Sequence, residues 1–464
     1  RKPRVALGFG GAFLLAVVTL VLGLQLGTQP GEDPEAKRLR EEAQQTIANE
    51  RVAIQSWRTN LYLPPKRISY DPLLASVEKI GKALERKDLS PEVVSQGHLA
   101  RARSFAFMGN MQEALVELDR SITAADSSEA RLERVFILWE SMFRERFLQG
   151  QSPKERSDQI VVDLQKAISL QFSDNWKEEF SRIILEVARD PNRENAQKAI
   201  ESLEELGQHS KGPSEEIRKF IGDMYLFMGE PDQAIKAYQA ATTDRRSYVQ
   251  AYNSLAIAYW MKEGDRRHRA VEYALRGVEI NPNYIDSYLL FTWLCQDGLH
   301  LYYARKFVGS DTTAYRVLLK KAIQLFKEGS DQYPILVARG TAYLVDAFFR
   351  VVAGLNSESA IEGAILSFSQ VHGFDGWFSL GCAHILRAYA HEEKDGENLD
   401  SALRFLHQAR GERPQDPELL SWIGFGYYLK EDMQKAKEVW KEAVEIDSSY
   451  EDKLNYFLKK SGKR

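Results

Sequence analysis

The chain has 464 residues, a formal net charge of −4 at pH 7 and 28% charged side chains. Acidic and basic residues are mixed along its length, so the sequence lacks the basic stripe that binding to nucleic acid requires. Its two cysteines, Cys295 and Cys382, stand in apolar helical contexts without a CxxC pair, which favours reduced core thiols. A disulfide between them stays an alternative, because sequence alone does not establish that they are close.

The first predicted element is an apolar segment near the amino end. Residues 5–24 carry no charge over twenty positions, which is long enough to cross the hydrocarbon core of a bilayer as a helix. We therefore predict a transmembrane signal-anchor helix within residues 1–27. The basic residues before it, Arg1, Lys2 and Arg4, predict a cytoplasmic amino end and an extracytoplasmic remainder, periplasmic in a bacterium. A cleaved signal peptide is the alternative, but the long apolar run and the weak cleavage site argue against it.

A linker and a juxtamembrane helical region are predicted over residues 28–90. Within this region, residues 35–61 place apolar side chains near one side of a helix, so we expect one long helix there. This helix either packs on the first repeat as a spacer, or it pairs with a partner or with a second copy of the chain. The pair Pro64-Pro65 separates this helix from the rest of the chain.

Residues 91–214 are predicted to form degenerate helical repeats, with a weak unit at 95–128 and no clean signature between 126 and 215. Apolar residues recur there at intervals of three and four, as amphipathic helices require. Between residues 126 and 215 we expect two helical hairpins. No segment of the chain combines sustained alternation with turn signals, so essentially no sheet is expected.

Residues 215–450 repeat one sequence pattern. A small residue is followed three positions later by an aromatic residue, and farther on an alanine is followed four positions later by another aromatic residue. The two clearest units carry it as Gly222, Tyr225, Ala234 and Tyr238 in 215–248, and as Gly424, Tyr427, Ala436 and Trp440 in 415–448. From Ala409 to Ala443 the spacing is 34 residues, and from Ala241 to Gly277 it is 36. Gly109 and Gly229 are predicted to end first helices in the left-handed conformation.

This sequence pattern resembles that of the tetratricopeptide repeat (TPR), a helical hairpin of about 34 residues. The resemblance covers roughly residues 91–450, so it implies degenerate repeats over 91–214 and a TPR solenoid over 215–450. It implies an all-α fold, a right-handed superhelix of helical hairpins, here preceded by one transmembrane helix. Residues 451–464 are then a C-terminal cap, which solenoids need at their ends.

An insertion is predicted at about residues 296–316. Cys295 and Ala322 are 27 residues apart, whereas the matching positions Tyr427 and Ala436 are 9 apart, an excess of 18. The aromatic side chains of the insertion are Tyr302, Tyr303, Phe307 and Tyr315. The insertion either binds a partner, as insertions in solenoids often do, or it extends two helices and packs on neighbouring repeats. If Tyr302→Ala combined with Tyr303→Ala leaves partner retention unchanged in a folded protein, the binding interpretation is wrong.

The resemblance also implies where a partner would bind, because the first helix of each TPR pair lines the concave groove. The groove-facing candidates are Lys219, Asp223, Asn253, Trp260, Leu289, Trp293, Phe378, Phe425 and Tyr428. Aromatic anchors in a groove are typical of binding hot spots, although several of these residues could instead pack between repeats. Asp223 stands where a subclass that grips chaperone C-terminal carboxylates has asparagine. We therefore exclude chaperone-tail binding.

The sequence contains no recognisable catalytic motif. Phosphate-binding loops, an HExxH helix and a G-x-S-x-G elbow are all absent from the sequence. We predict no enzymatic activity, no cofactor, no metal site, no small-molecule substrate and no nucleic-acid partner.

The function predicted from these features is a membrane-anchored TPR scaffold that binds protein partners within a membrane-associated complex. One alternative is an assembly or maturation factor for envelope complexes, which would not co-purify with its clients in fixed stoichiometry. Another is an organelle-surface receptor or tether with cytosolic repeats, which protease protection in intact vesicles would distinguish.

Overall fold

The computed structural model describes residues 33–57, 70–149, 154–209, 214–262, 267–303, 309–327, 332–392, 396–451 and 455. In these ranges every regular element is a helix, which confirms the predicted all-α class. The predicted anchor over residues 5–24 lies outside the described residues, and so does most of the predicted cap over 451–464. None of the described helices combines the length and the apolar character needed to span a bilayer.

The described ranges contain twenty helices, numbered here in chain order. The first ten are α1 (Pro34–Trp57), α2 (Asp71–Leu84), α3 (Pro91–Met108), α4 (Met111–Ala124), α5 (Ser128–Gln149), α6 (Lys154–Ser169), α7 (Asn175–Arg189), α8 (Arg193–His209), α9 (Ser214–Phe227) and α10 (Pro231–Asp244). The others are α11 (Val249–Met261), α12 (His268–Ile280), α13 (Ile285–Tyr303), α14 (Gly309–Lys327), α15 (Tyr333–Val352), α16 (Glu358–Phe368), α17 (Phe374–Ala390), α18 (Glu397–Glu412), α19 (Pro417–Leu429) and α20 (Met433–Ile446). Successive helices pack in hairpins, among them α9 with α10 and α19 with α20.

The small and aromatic positions of the repeat meet across each hairpin. Gly222 of α9 lies directly against the ring of Tyr238 in α10, and Gly424 of α19 lies against the indole of Trp440 in α20. A Cβ atom at either glycine would overlap the ring, so only glycine lets the paired helices approach this closely. The small and aromatic positions of the repeat pattern are therefore the residues that contact each other between the two helices of a pair.

Glycine also ends first helices, as predicted. Gly109 has φ +88° and Gly229 has φ +77°, both in the left-handed region. After Gly109, the Asn110 amide donates to the Phe105 carbonyl at 2.8 Å, which satisfies an otherwise unpaired helix-end acceptor. The Asn110 side chain then caps α4 by accepting from the Glu113 amide at 3.3 Å.

Helix α1 packs on the first hairpin. Its buried side chains Ala43, Ile47, Ile54 and Trp57 fall on one stripe. They form a hydrophobic cluster with residues of α2 and α3. The described part of this helix therefore packs as a spacer, which agrees with the first of the two interpretations of its sequence.

The insertion lengthens two helices of one hairpin. Helix α13 continues to Tyr303 and α14 begins at Gly309. Tyr315 is 0% exposed, and its hydroxyl donates to the Leu294 carbonyl at 3.1 Å. Tyr315 therefore packs inside the molecule, whereas Phe307 lies outside the described residues and the side chains of Tyr302 and Tyr303 are not described.

The array of hairpins closes on itself between distant repeats. The turn from α3 to α4 rests on the turn from α12 to α13, and a Cβ atom at Gly109 would lie 2.6 Å from the Cα of Tyr284. The Asn281 side chain donates to the Phe107 carbonyl at 3.3 Å, across 174 residues of sequence. A simple solenoid has contacts only between neighbouring repeats, so this contact adds a long-range closure to the array.

Candidate partner-binding groove

Helix α5 is enclosed by the rest of the molecule. No side chain from Ser128 to Phe147 is exposed. Its residues contact the first helices of three successive hairpins: the Trp139 indole donates to Asp223 of α9 at 2.9 Å, and Arg144 pairs with Asp286 of α13. Between these two contacts, α5 also packs on α11. Helix α5 therefore fills the inner face of the superhelix across α9, α11 and the start of α13.

A buried charge cluster joins α5 to α9. The Lys219 ammonium donates to Asp223 at 2.8 Å and also to Glu140 of α5. Asp223 accepts a further hydrogen bond from the Tyr238 hydroxyl at 2.8 Å. Lys219 and Asp223 are both 0% exposed, whereas Glu140 keeps 23% of its side chain exposed. We call Glu140, Lys219 and Asp223 the buried charge cluster.

The cluster perturbs the ionisation of its own members. Burial raises the pKa of Asp223 and of Glu140 because their charged forms lose water, and Lys219 offsets only part of this effect. Burial alone would lower the pKa of Lys219, but the two carboxylates outweigh it and raise that pKa. The Lys219 ammonium is therefore shared by two carboxyl groups, and the pKa of each is raised.

Next to the cluster, α5 leaves only a small cavity of about 20 Å³ against α11 and α13. Asn253 lines it, is 9% exposed and accepts a hydrogen bond from Ser287 at 2.9 Å. A space of this size is comparable with a single water molecule. This cavity has no room for a peptide.

These contacts correct part of the sequence-based site. Lys219, Asp223 and Asn253 were expected to face an open groove, but in the structure they lie beneath α5 and are buried. The resemblance to the repeat predicts only which positions of a first helix face the groove. It contains no information about another helix of the same chain lying on those positions.

Two other candidates, Trp260 and Phe425, pack mainly within the molecule. Trp260 is 7% exposed, and its indole donates to Asp297 at 2.7 Å. Phe425 is 5% exposed and stacks on Tyr428 with ring centres 6.1 Å apart. Both rings contribute to the core between repeats, and the edge of the Tyr428 ring stays half-buried.

Phe378 is half-buried and stacks on Phe374 at 5.6 Å. The Arg413 guanidinium covers the Phe374 ring at 4.0 Å from its centre. Phe378 is therefore partly accessible, at the start of α17.

One candidate pair is open to solvent. Leu289 is 40% exposed, and Trp293, one turn later on α13, is half-buried with its ring edge-on to Trp260 at 5.9 Å. Gln296, nearly one further turn along, is exposed. We call Leu289, Trp293 and Gln296 the α13 face. It is the part of the predicted groove that α5 leaves uncovered along this helix.

The groove contribution of α5 was missed from the sequence, although a signal existed. Residues 135–139, Val-Phe-Ile-Leu-Trp, are five consecutive apolar side chains, which cannot all fall on one stripe of a helix. This segment of α5 therefore needs apolar contacts on more than one side, although charged residues flank it. Within the described ranges, no three His, Cys, Asp or Glu side chains are placed to hold a metal ion.

Comparison with known proteins gives one family match. Residues 220–243, which span α9 and most of α10, match the family model of the tetratricopeptide repeat. This segment contains Gly222 and Tyr238, which meet across that hairpin. The search of curated proteins gave no match.

Several solved structures match most of this chain at low sequence identity. A human IFIT1 dimer with PPP-AAAA is 15% identical, with 80% of this chain and 77% of that chain covered and a TM-score of 0.37. The APC/C hetero-tetramer Cut9–Hcn1 is 13% identical over 84% and 83%, with a TM-score of 0.33. The TPR domain of P58(IPK) is 17% identical over 84% and 95%, with a TM-score of 0.23. The family match shows that this chain contains a tetratricopeptide repeat at α9 and α10, and the hairpin of α19 and α20 carries the same pattern of small and aromatic residues.

Proposed function

We propose that this chain is a non-enzymatic scaffold that binds a protein partner on the α13 face. TPR folds generally bind proteins through the inner face of their superhelix. The observation that carries the proposal is the contrast along that face: α5 covers Lys219 of α9 and Asn253 of α11, but Leu289 of α13 stays 40% exposed. An exposed leucine beside a half-buried tryptophan provides apolar area whose burial favours binding, and tryptophan is enriched among hot spots.

The proposal includes membrane anchoring through residues 5–24. Its support is the sequence, which keeps twenty residues free of charge after three basic ones. The repeats are then extracytoplasmic. Protease treatment of sealed vesicles whose cytoplasmic face points outward tests this placement. Extracytoplasmic repeats lie inside such vesicles and are protected until the vesicles are opened.

Replacing the α13 face should release the partner without unfolding the protein. Native membranes containing the wild type, the pair Leu289→Asp with Trp293→Ala, or Leu366→Asp are solubilised gently and separated on native gels, and co-migrating proteins are quantified. We expect the wild type to migrate with one assembly at a fixed ratio, and the paired variant to retain at least about tenfold less partner. Leu366 is 67% exposed on α16 and is the matched control, for which we expect wild-type retention.

Other results would contradict the proposal in specific ways. Equal retention by the paired variant and the wild type would place the partner elsewhere. Migration of the wild type alone, with only substoichiometric clients, would instead indicate an assembly factor.

A further inference from the structure

We propose that α5 is an intramolecular ligand of the groove, and that its release is coupled to the loss of one proton from the buried charge cluster. This inference rests on the proposed function, because the surface that α5 covers continues the surface on which the partner is proposed to bind. Release of α5 would regulate that site, because the groove open to a partner is limited to α13 while α5 is bound and extends back to α9 when α5 is released.

The charges within the buried charge cluster do not balance. The cluster contains two carboxylates, Glu140 and Asp223, and one ammonium, Lys219. The nearest charged pair is Arg144 with Asp286, and farther along Arg245 lies 3.9 Å from Glu215. Two more charges face this region from α5 and α9: Arg146, whose guanidinium covers the Phe227 ring, and Glu216, which acts on Tyr248. The tyrosines nearby, Tyr238, Tyr248 and Tyr284, are uncharged because burial raises the pKa of each well above its ordinary value. With Glu140 and Asp223 both ionised, the cluster carries one negative charge more than Lys219 neutralises.

A proton removes this imbalance. An unpaired charge in a buried site is costly, and protonation of one carboxylate leaves a single pair of opposite charges at Lys219. When α5 leaves the groove, Glu140 and Asp223 meet water, where carboxyl groups have pKa values of about 4. The seated form therefore binds about one proton more than the released form at pH values between that ordinary range and the raised values.

The direction of the pH effect follows from this difference. The form that binds more protons is favoured as the pH falls, so acidification holds α5 in the groove and alkalinisation favours its release. Release would uncover Lys219, Asp223 and Asn253, which lie on the inner face of α9 and α11. The groove available to a partner would then lengthen by two hairpins.

Hydrogen exchange tests the coupling on the full-length protein without any partner. Amide exchange of residues 135–147 is measured from pH 5.5 to 8.5 and corrected for the intrinsic pH dependence of exchange. We expect the opening constant of this segment to rise with pH, by up to about tenfold per pH unit for one proton. Glu140→Gln removes the excess charge, so it should flatten the slope and keep α5 seated at high pH. The control Glu194→Gln changes the solvent-exposed pair of Glu194 with Lys198 and should keep the wild-type slope.

Asp223→Asn provides a second variant, because it removes the same excess charge from α9. A wild-type segment whose corrected opening constant does not change with pH overturns the proposal. An unchanged slope in both Glu140→Gln and Asp223→Asn also overturns it. Because no partner is present, these outcomes are independent of whether the α13 face binds a protein.

Discussion

Replacing Lys219 by methionine is expected to lower the free energy of unfolding by about 3–5 kcal/mol, or to prevent folding altogether. The side chain is 0% exposed and is the cation shared by Glu140 and Asp223. Methionine has a similar length, but it leaves both carboxylates facing each other without a positive charge. The loss should be largest above neutral pH, because carboxyl groups with raised pKa values are uncharged, and therefore less costly, once the pH falls below those values.

Urea unfolding of the wild type and Lys219→Met at pH 5.5 and 8 measures both the loss and its pH dependence. Lys198→Met is the control, because Lys198 is 66% exposed and pairs with an exposed Glu194, so little change is expected. A loss below about 1 kcal/mol in a folded Lys219→Met protein would show that the buried charge cluster does not form as described.

Replacing Gly109 by alanine is expected to cost about 2–4 kcal/mol, from two causes. With φ at +88°, an alanine is strained by roughly 1–2 kcal/mol. Its Cβ would also lie 2.6 Å from the Cα of Tyr284, and a backbone atom cannot move aside as a flexible side chain can. The α3–α4 turn would then have to separate from the α12–α13 turn.

Gly229→Ala separates the two causes. Gly229 ends a first helix in the same way, with φ +77°, but no atom lies within 4 Å of the position of its Cβ. Only the backbone strain applies, so the expected loss is about 1–2 kcal/mol. Equal losses for the two alanine variants in thermal or urea unfolding would mean that the contact between the distant turns does not form.

The contacts within a hairpin were predictable from the sequence, because they join residues at short and repeated separations. Gly222 with Tyr238, and Gly424 with Trp440, stand at the same positions of two units, and their contact decides how closely each pair of helices packs. The left-handed ends at Gly109 and Gly229 follow from the lack of a Cβ atom. Such features depend on local geometry alone, and the structure reproduces them.

The features that depend on distant parts of the chain were not predictable in this way. The repeat places Lys219 on the inner face of α9 but does not reveal that Glu140 of α5 lies on top of it. Closure of the array at Gly109 and Tyr284 results from small rotations that accumulate over many hairpins. The 40% exposure of Leu289 likewise depends on which other helices of the chain lie on α13, and the repeat pattern does not reveal them.

The closure between Phe107 and Asn281 also affects how this protein is made. A ribosome adds roughly 5–20 residues per second, so the 174 residues between these two positions take roughly 10–35 s to synthesise. For the first part of that interval the nascent chain carries α5, with Trp139 and Phe143, before α9, α11 and then α13 are synthesised to enclose it. The amino-terminal part is then an incomplete intermediate with exposed apolar side chains on α5, which is the kind of species that chaperones retain and that aggregates at high concentration. An open solenoid can fold repeat by repeat. In this chain, the α3–α4 turn and α5 complete their contacts only after the helices from α9 to α13 have been synthesised.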